Sequence, residues 1–142
     1  QEPQVAQHLI QNALEDCVSA FDGFGRESCR VFATKAIRPE KAAKIRFQNL
    51  RAARDSVREQ FSVDFATKVA PVDWKHILRA FQKRHLVAHR MGVVDEEYLS
   101  ATGEPRLLLG RKVSITAREV RELLVHLKHL GSELFCCLES QA

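Results

Sequence analysis

Apolar residues recur at spacings of three and four along most of the chain, the pattern of helices that each bury one face. From Val5 to about Thr34 the series runs Val5, Leu9, Ile10, Ala13, Leu14, Cys17, Phe21, Phe24 and Cys29. Gly23 and Gly25 lower its helix propensity and point to a bend or a close crossing. Arg38-Pro39 ends the segment, because proline cannot continue the hydrogen-bond ladder and disfavours helix in the residue before it. Ile45, Leu50, Ala53, Val57 and Phe61 predict a second helix over Lys41 to Phe61, followed by a connector from Ser62 to Val72 that Pro71 closes. A third helix starts near Val72 or Asp73, carries Trp74, Ile77, Leu78 and Phe81, and stops at Met91-Gly92.

Val93 to Thr102 predicts a short turn or helix, and Gly103 to Val113 an extended loop. Thr116-Ala117-Arg118-Glu119 has the spacing of a capping box, in which the Thr and Glu side chains satisfy each other's backbone N–H groups. It opens the cleanest amphipathic stretch, through Val120, Leu123, Leu124, Leu127, Leu130, Leu134, Phe135 and Leu138. With no strand pair and no repeat, the expectation is an all-α, four-helix up-and-down bundle with an extended loop before the last helix. One domain over residues 1–142 accounts for the whole chain.

Composition adds limits. A chain of 142 residues buries roughly 68–70% of its unfolded surface, enough for a core without a metal or disulfide. The 45% apolar and 28% charged content argues against disorder. Apolar runs are as short as Leu107-Leu108-Leu109, so no membrane span or membrane partner is expected. No basic-then-apolar leader opens the sequence, and a cytoplasmic location follows as the expectation. The chain begins at Gln1, which leaves open a processed product or a fused preceding domain. Cys17, Cys29, Cys136 and Cys137 read as buried free thiols, with a Cys17–Cys136 bridge between the terminal helices as the alternative.

The formal charge is +4, from 22 Lys and Arg against 18 Asp and Glu, which suits a polyanionic partner without requiring one. Part of the excess lies on the second helix at Arg46, Arg51, Arg54 and Arg58, either a solvated face or a ridge that contacts phosphates. More lies in Lys83-Arg84-His85-Leu86-Val87-Ala88-His89-Arg90. His85 and His89 share a face about 40° apart, and that face continues the stripe of Trp74, Ile77, Leu78 and Phe81, toward the bundle interior or an interface. Arg84 and His89 are about 140° apart on an ideal helix. They converge if Arg84 curls, if the helix distorts near Gly92, or if a second subunit supplies one of them.

Three readings fit the cluster. The histidines are satisfied core or interface groups; or they bind a metal as an HxxxH pair, although position 86 is Leu and the neighbouring cations oppose a divalent ion; or the cluster cleaves RNA. In the third, a base takes the proton of a ribose 2′-OH, an acid protonates the leaving 5′-oxygen, and a cation stabilises the phosphorane. Histidine titrates near neutrality and suits the proton transfers. Arginine presents a planar fork to phosphate. No metal and no cofactor are called for. Elsewhere, Glu122, His126, His129 and Glu133 form a stripe on the last helix that is either solvated or metal-ligating. Asp95-Glu96-Glu97 reads as a solvated acidic turn, Tyr98 as a packing residue or a base-stacking one, and Gly110-Arg111-Lys112 as a backbone-phosphate contact.

Arg84-His85-Leu86-Val87-Ala88-His89 resembles the R-x4-H motif of the HEPN superfamily (higher eukaryotes and prokaryotes nucleotide-binding domains), with a polar residue directly after the Arg and late placement in a helix of a small all-α domain. The resemblance implies a homodimer with two motifs facing one cleft, and in many relatives a metal-independent endoribonuclease of toxin–antitoxin, phage-defence or RNA-processing systems. On that basis Arg84 binds the scissile phosphate, His89 is the general acid/base and His85 orients or assists. Lys83, Arg90, Arg51, Arg54 and Arg58 are then candidate contacts to RNA, and a cognate antitoxin is a conceivable partner. Other members are inactive, so the alternative is a non-catalytic nucleotide- or RNA-binding, or assembly, module of a longer protein.

Overall fold

Helix α1 of the computed structural model, which describes residues 2–140, runs unbroken over Glu2–Val31. Gly23 and Gly25 therefore leave it intact, and Gly25 instead makes a notch. A Cβ there would lie 2.5 Å from the ring of Phe47, which is fully buried and edge-on to Phe21. The remaining helices are α2 (Pro39–Ala42), α3 (Leu50–Phe61), α4 (Pro71–His89), α5 (Glu96–Thr102) and α6 (Ala117–Ser140), with 3-10 turns at Ala33–Lys35 and Arg106–Leu108. The described residues are thus an all-α bundle of six helices, four of them long enough to build the main core.

The second helix expected over Lys41 to Phe61 is divided. Residues between α2 and α3 leave helical geometry so that the Phe47 N–H can donate to the buried Asp22 carboxylate at 2.6 Å. Asn49 then starts α3 as its N-cap, its side chain accepting from the Ala52 N–H. The up-and-down order also fails. Phe24 lies against Gly131, Phe32 against Phe135, and Lys35 Nζ donates to the Leu138 and Glu139 carbonyls, so α1 and α6 run in the same sense. The end of α3 meets the end of α1, where the Ile37 N–H donates to the Gln60 carbonyl. Helix α4 runs against all three, with Lys83 opposite Glu119, Asp73 opposite His126, and Trp74 beneath Arg54. The crossover through α2 returns the chain to the level of Asp22 before α3 begins, and this makes α1 and α3 parallel.

A second, smaller core of Leu86, Val94, Tyr98 and Leu99 seats α5 on the last turns of α4. The expected extended loop instead folds back on itself. Gly110 N–H donates to the Val94 carbonyl, Val94 N–H to Arg111, and Val113 N–H to Gly92, around the bridge between Val93 and Lys112. Among the cysteines Cys29 is buried, and burial pushes its thiol up to about 12. Cys17 and Cys137 are partly covered, Cys136 is exposed and all four are free, so the thiols are only in part the buried set that the sequence suggests. Among the described residues no helix is long and apolar enough to cross a membrane.

Candidate active site

Helix α4 begins with Pro71 at its first position and Asp73 in its first turn. Its end is set by the Leu86 carbonyl, which accepts from the Arg90 N–H at 2.7 Å and the Gly92 N–H at 2.9 Å. Gly92 has φ +78° and Met91 φ +55°, the left-handed conformation in which glycine is favoured. The R-x4-H segment therefore occupies the last turns of α4, immediately before this stop.

Arg84 reaches across to α1, where its Nε donates to Glu15 Oε2 at 2.5 Å and its Nη2 to Glu15 Oε1 at 3.0 Å. The arginine side chain is 12% exposed and the glutamate 44%. Arg84 holds the Glu15 carboxyl below the usual carboxylate range, and the charge of His89 adds to the effect in a smaller measure. Arg84 reaches this carboxylate by bending toward α1.

His85 and His89 are both exposed, their ring centroids 4.8 Å apart and tilted by 54°. Of the two placements that the sequence allows, this overturns the bundle interior and does not bear on an interface. The line of Trp74 and Leu78 is covered by α3, but α3 begins at Leu50, beside Leu78 and Phe81. Beyond that level the same line on α4 faces solvent. The buried line passes instead through Ile77 and Phe81 to the covered Arg84.

The flanking cations are engaged. Lys83 Nζ donates at 2.7 Å to the Ser114 carbonyl and at 2.7 Å to Glu119. Glu119 also accepts from the Thr116 N–H while its own N–H donates to Thr116 Oγ1, the reciprocal pair that the capping-box spacing predicts. Arg90 pairs with Asp95 at 3.4 Å, and Asp95 caps α5 through the Tyr98 N–H. On α3, Arg54 forks onto Asp64 with two contacts of 2.8 Å and stacks over Trp74, while Arg58 reaches the same carboxylate at 3.1 Å. Arg51 is exposed and borders a pocket with Leu78, Phe81 and Gln82, on the side of α4 that continues to His85. The basic ridge is therefore partly neutralised.

The Asp64 carboxyl lies well below its ordinary range, chiefly through its hydrogen bonds from Arg54, with the Ala66 N–H and Arg58 adding to it. A carboxylate depressed in the folded state stabilises it above the unfolded pKa, and that contribution is lost as the pH falls toward the folded value. Asp64→Asn is expected to lower stability at neutral pH and to flatten the loss on acidification between about pH 4 and 2. Urea denaturation across that range checks it, and an unchanged acid limb would refute the assignment.

Tyr98 is 1% exposed and its hydroxyl donates to Glu104; it packs the α5 seat and has no face free for stacking. On α6, Glu122 pairs with Arg118, Glu133 with Lys68, and His126 lies 3.9 Å from Asp73. Among the described residues no group of three or more His, Cys, Asp or Glu side chains is placed to hold a metal. Glu15 is the site residue that sequence reasoning misses. It sits with Gln11, Ser19 and Asp22 on one polar line of α1, but nothing in that spacing connects it to a partner on α4. Comparison of the chain with family models, with curated proteins and with solved structures gave no match.

Proposed function

We propose that the chain is a HEPN-like domain that cleaves RNA without a metal, by attack of a ribose 2′-OH on its own 3′-phosphate. The observation that carries this reading is that the last turns of α4 hold both a guanidinium fork, Arg84, and, on their exposed line, an imidazole pair, His85 and His89. Arg84 binds the scissile phosphate, His89 transfers the proton, and His85 orients or assists. Arg51 borders the same side of α4 and extends the line of cations along the RNA backbone. Lys83 and Arg90, held by Glu119 and Asp95, brace the two flanks of the site. Two copies that face each other across the exposed end of α4, where Ala88 and Met91 are also open, bring both motifs to one strand.

The test is incubation of labelled single-stranded RNA, and of DNA of the same sequence, in the presence of EDTA. The expected result is cut RNA with 2′,3′-cyclic phosphate ends and intact DNA. Abolition by EDTA, or equal cutting of the DNA, overturns the mechanism. The occupation of the Arg84 fork by Glu15 favours a second reading, a non-catalytic module that binds RNA or nucleotide or mediates assembly. That reading expects intact RNA whose mobility shifts in a salt-sensitive way.

A further inference from the structure

In the Arg84–Glu15 pair the cation is the covered member and the acid the more open one. The arginine is 12% exposed and the acid 44%, so the cation is fixed in the bundle and the anion is the partner at the surface. A carboxylate and a phosphate each offer two oxygens at the spacing that the guanidinium fork accepts. We propose that Glu15 is an internal anion that occupies the Arg84 fork in place of a phosphate, and that it must swing out before Arg84 can bind one. The proposal rests on the reading of Arg84 as a phosphate ligand.

Three further features fit the exchange. Glu15 is the outer member of the pair and can leave toward solvent, but the covered Arg84 would then be unpaired, so release is favoured only as the incoming anion takes over its charge. Ser19, one turn along α1, donates to the same carboxylate at 3.4 Å and supplies an alternative partner on the solvent side. Asp22, a further turn on, is committed to the Phe47 N–H and does not replace Glu15 at the fork. Glu15 is accordingly a positioning residue. It keeps Arg84 aimed while the site is empty, and it sets the concentration of anion at which the site fills.

The experiment is a titration with inorganic phosphate that follows the Nε–H resonance of Arg84 by NMR, in wild type, Glu15→Gln and Glu15→Asp. Glu15→Gln removes the competing charge and is expected to lower the half-saturating phosphate concentration roughly tenfold, the scale of one lost charge-assisted contact. Glu15→Asp retains the charge with a shorter reach and is expected to fall between the two, which keeps the proposal testable should the Gln variant fold poorly. Equal half-saturation in all three proteins, or an Arg84 resonance that phosphate never moves, overturns the inference. Its failure is distinguishable from failure of the ribonuclease reading. Tighter phosphate binding by a protein that leaves RNA intact keeps Glu15 as a competitor and removes the catalytic role. Cleavage of RNA with no effect of Glu15→Gln on phosphate does the reverse.

Discussion

His89→Ala is expected to reduce cleavage of single-stranded RNA by about 10²–10⁴-fold, the range that loss of a positioned acid or base carries, with little change in melting temperature. The residue ends α4, is exposed, and has His85 as its aromatic neighbour. Substitutions at such surface positions shift stability by about 0.5 kcal/mol or less. Cleavage assays at saturating RNA, paired with thermal melts, separate the chemical loss from any unfolding. His85→Ala is expected to cost less, since its role is to orient or assist. A His89→Ala protein that cleaves at the wild-type rate removes proton transfer from this position and, with it, the mechanism.

Phe47→Ala is expected to produce the largest loss of stability, about 3–5 kcal/mol in urea denaturation, as for other buried phenylalanines. The ring is fully buried, packs near Phe21 and Phe65 with centroids 6.0 Å away in each case, and fills the notch at Gly25. Gly25→Ala tests the same contact from the other side. Alanine gains about 1 kcal/mol of helix propensity over glycine, yet its Cβ would meet the Phe47 ring at 2.5 Å, so the substitution is expected to destabilise by about 1–3 kcal/mol through overpacking. The double variant is expected to be more stable than the sum of the single losses predicts, because the new methyl group enters the space that the ring has left. Additive losses would show that the two residues do not meet in solution.

Helix ends that depend on local chemistry were legible in the sequence. Gly92 just beyond the last turn of α4 and the Thr116–Glu119 box at the start of α6 act as their residue types imply, while Pro71, read as the close of the connector, is itself the first residue of α4. The break between α2 and α3 was not, because Ile45 and Leu50 keep a spacing compatible with helix and the reason for the break lies on α1, in Asp22 and Gly25. Asn49 was the local signal, an N-cap residue directly before an apolar periodic run. The direction of α3 left no trace, since an amphipathic pattern reads the same whichever way its helix runs in the bundle. The exposure of His85 and His89 also escaped the pattern. Whether a line of residues on α4 is buried depends on how far α3 extends along it, and α3 starts too late to cover them. Glu15 escaped because its partner is 69 positions away.

The pairing of the first long helix with the last has a kinetic side. The Leu138 and Glu139 carbonyls that hold Lys35 are 103 and 104 residues further along the chain, and such separations slow the search for the native topology. A nascent chain emerging at about 5–20 residues per second spends seconds with the α6-facing side of α1 uncovered, Phe21 and Phe24 included. Glu15 and Arg84 are both synthesised well before α6 closes over α1. The α1–α4 contact that joins them involves no residue of α6, so it can form while the last helix is still being made.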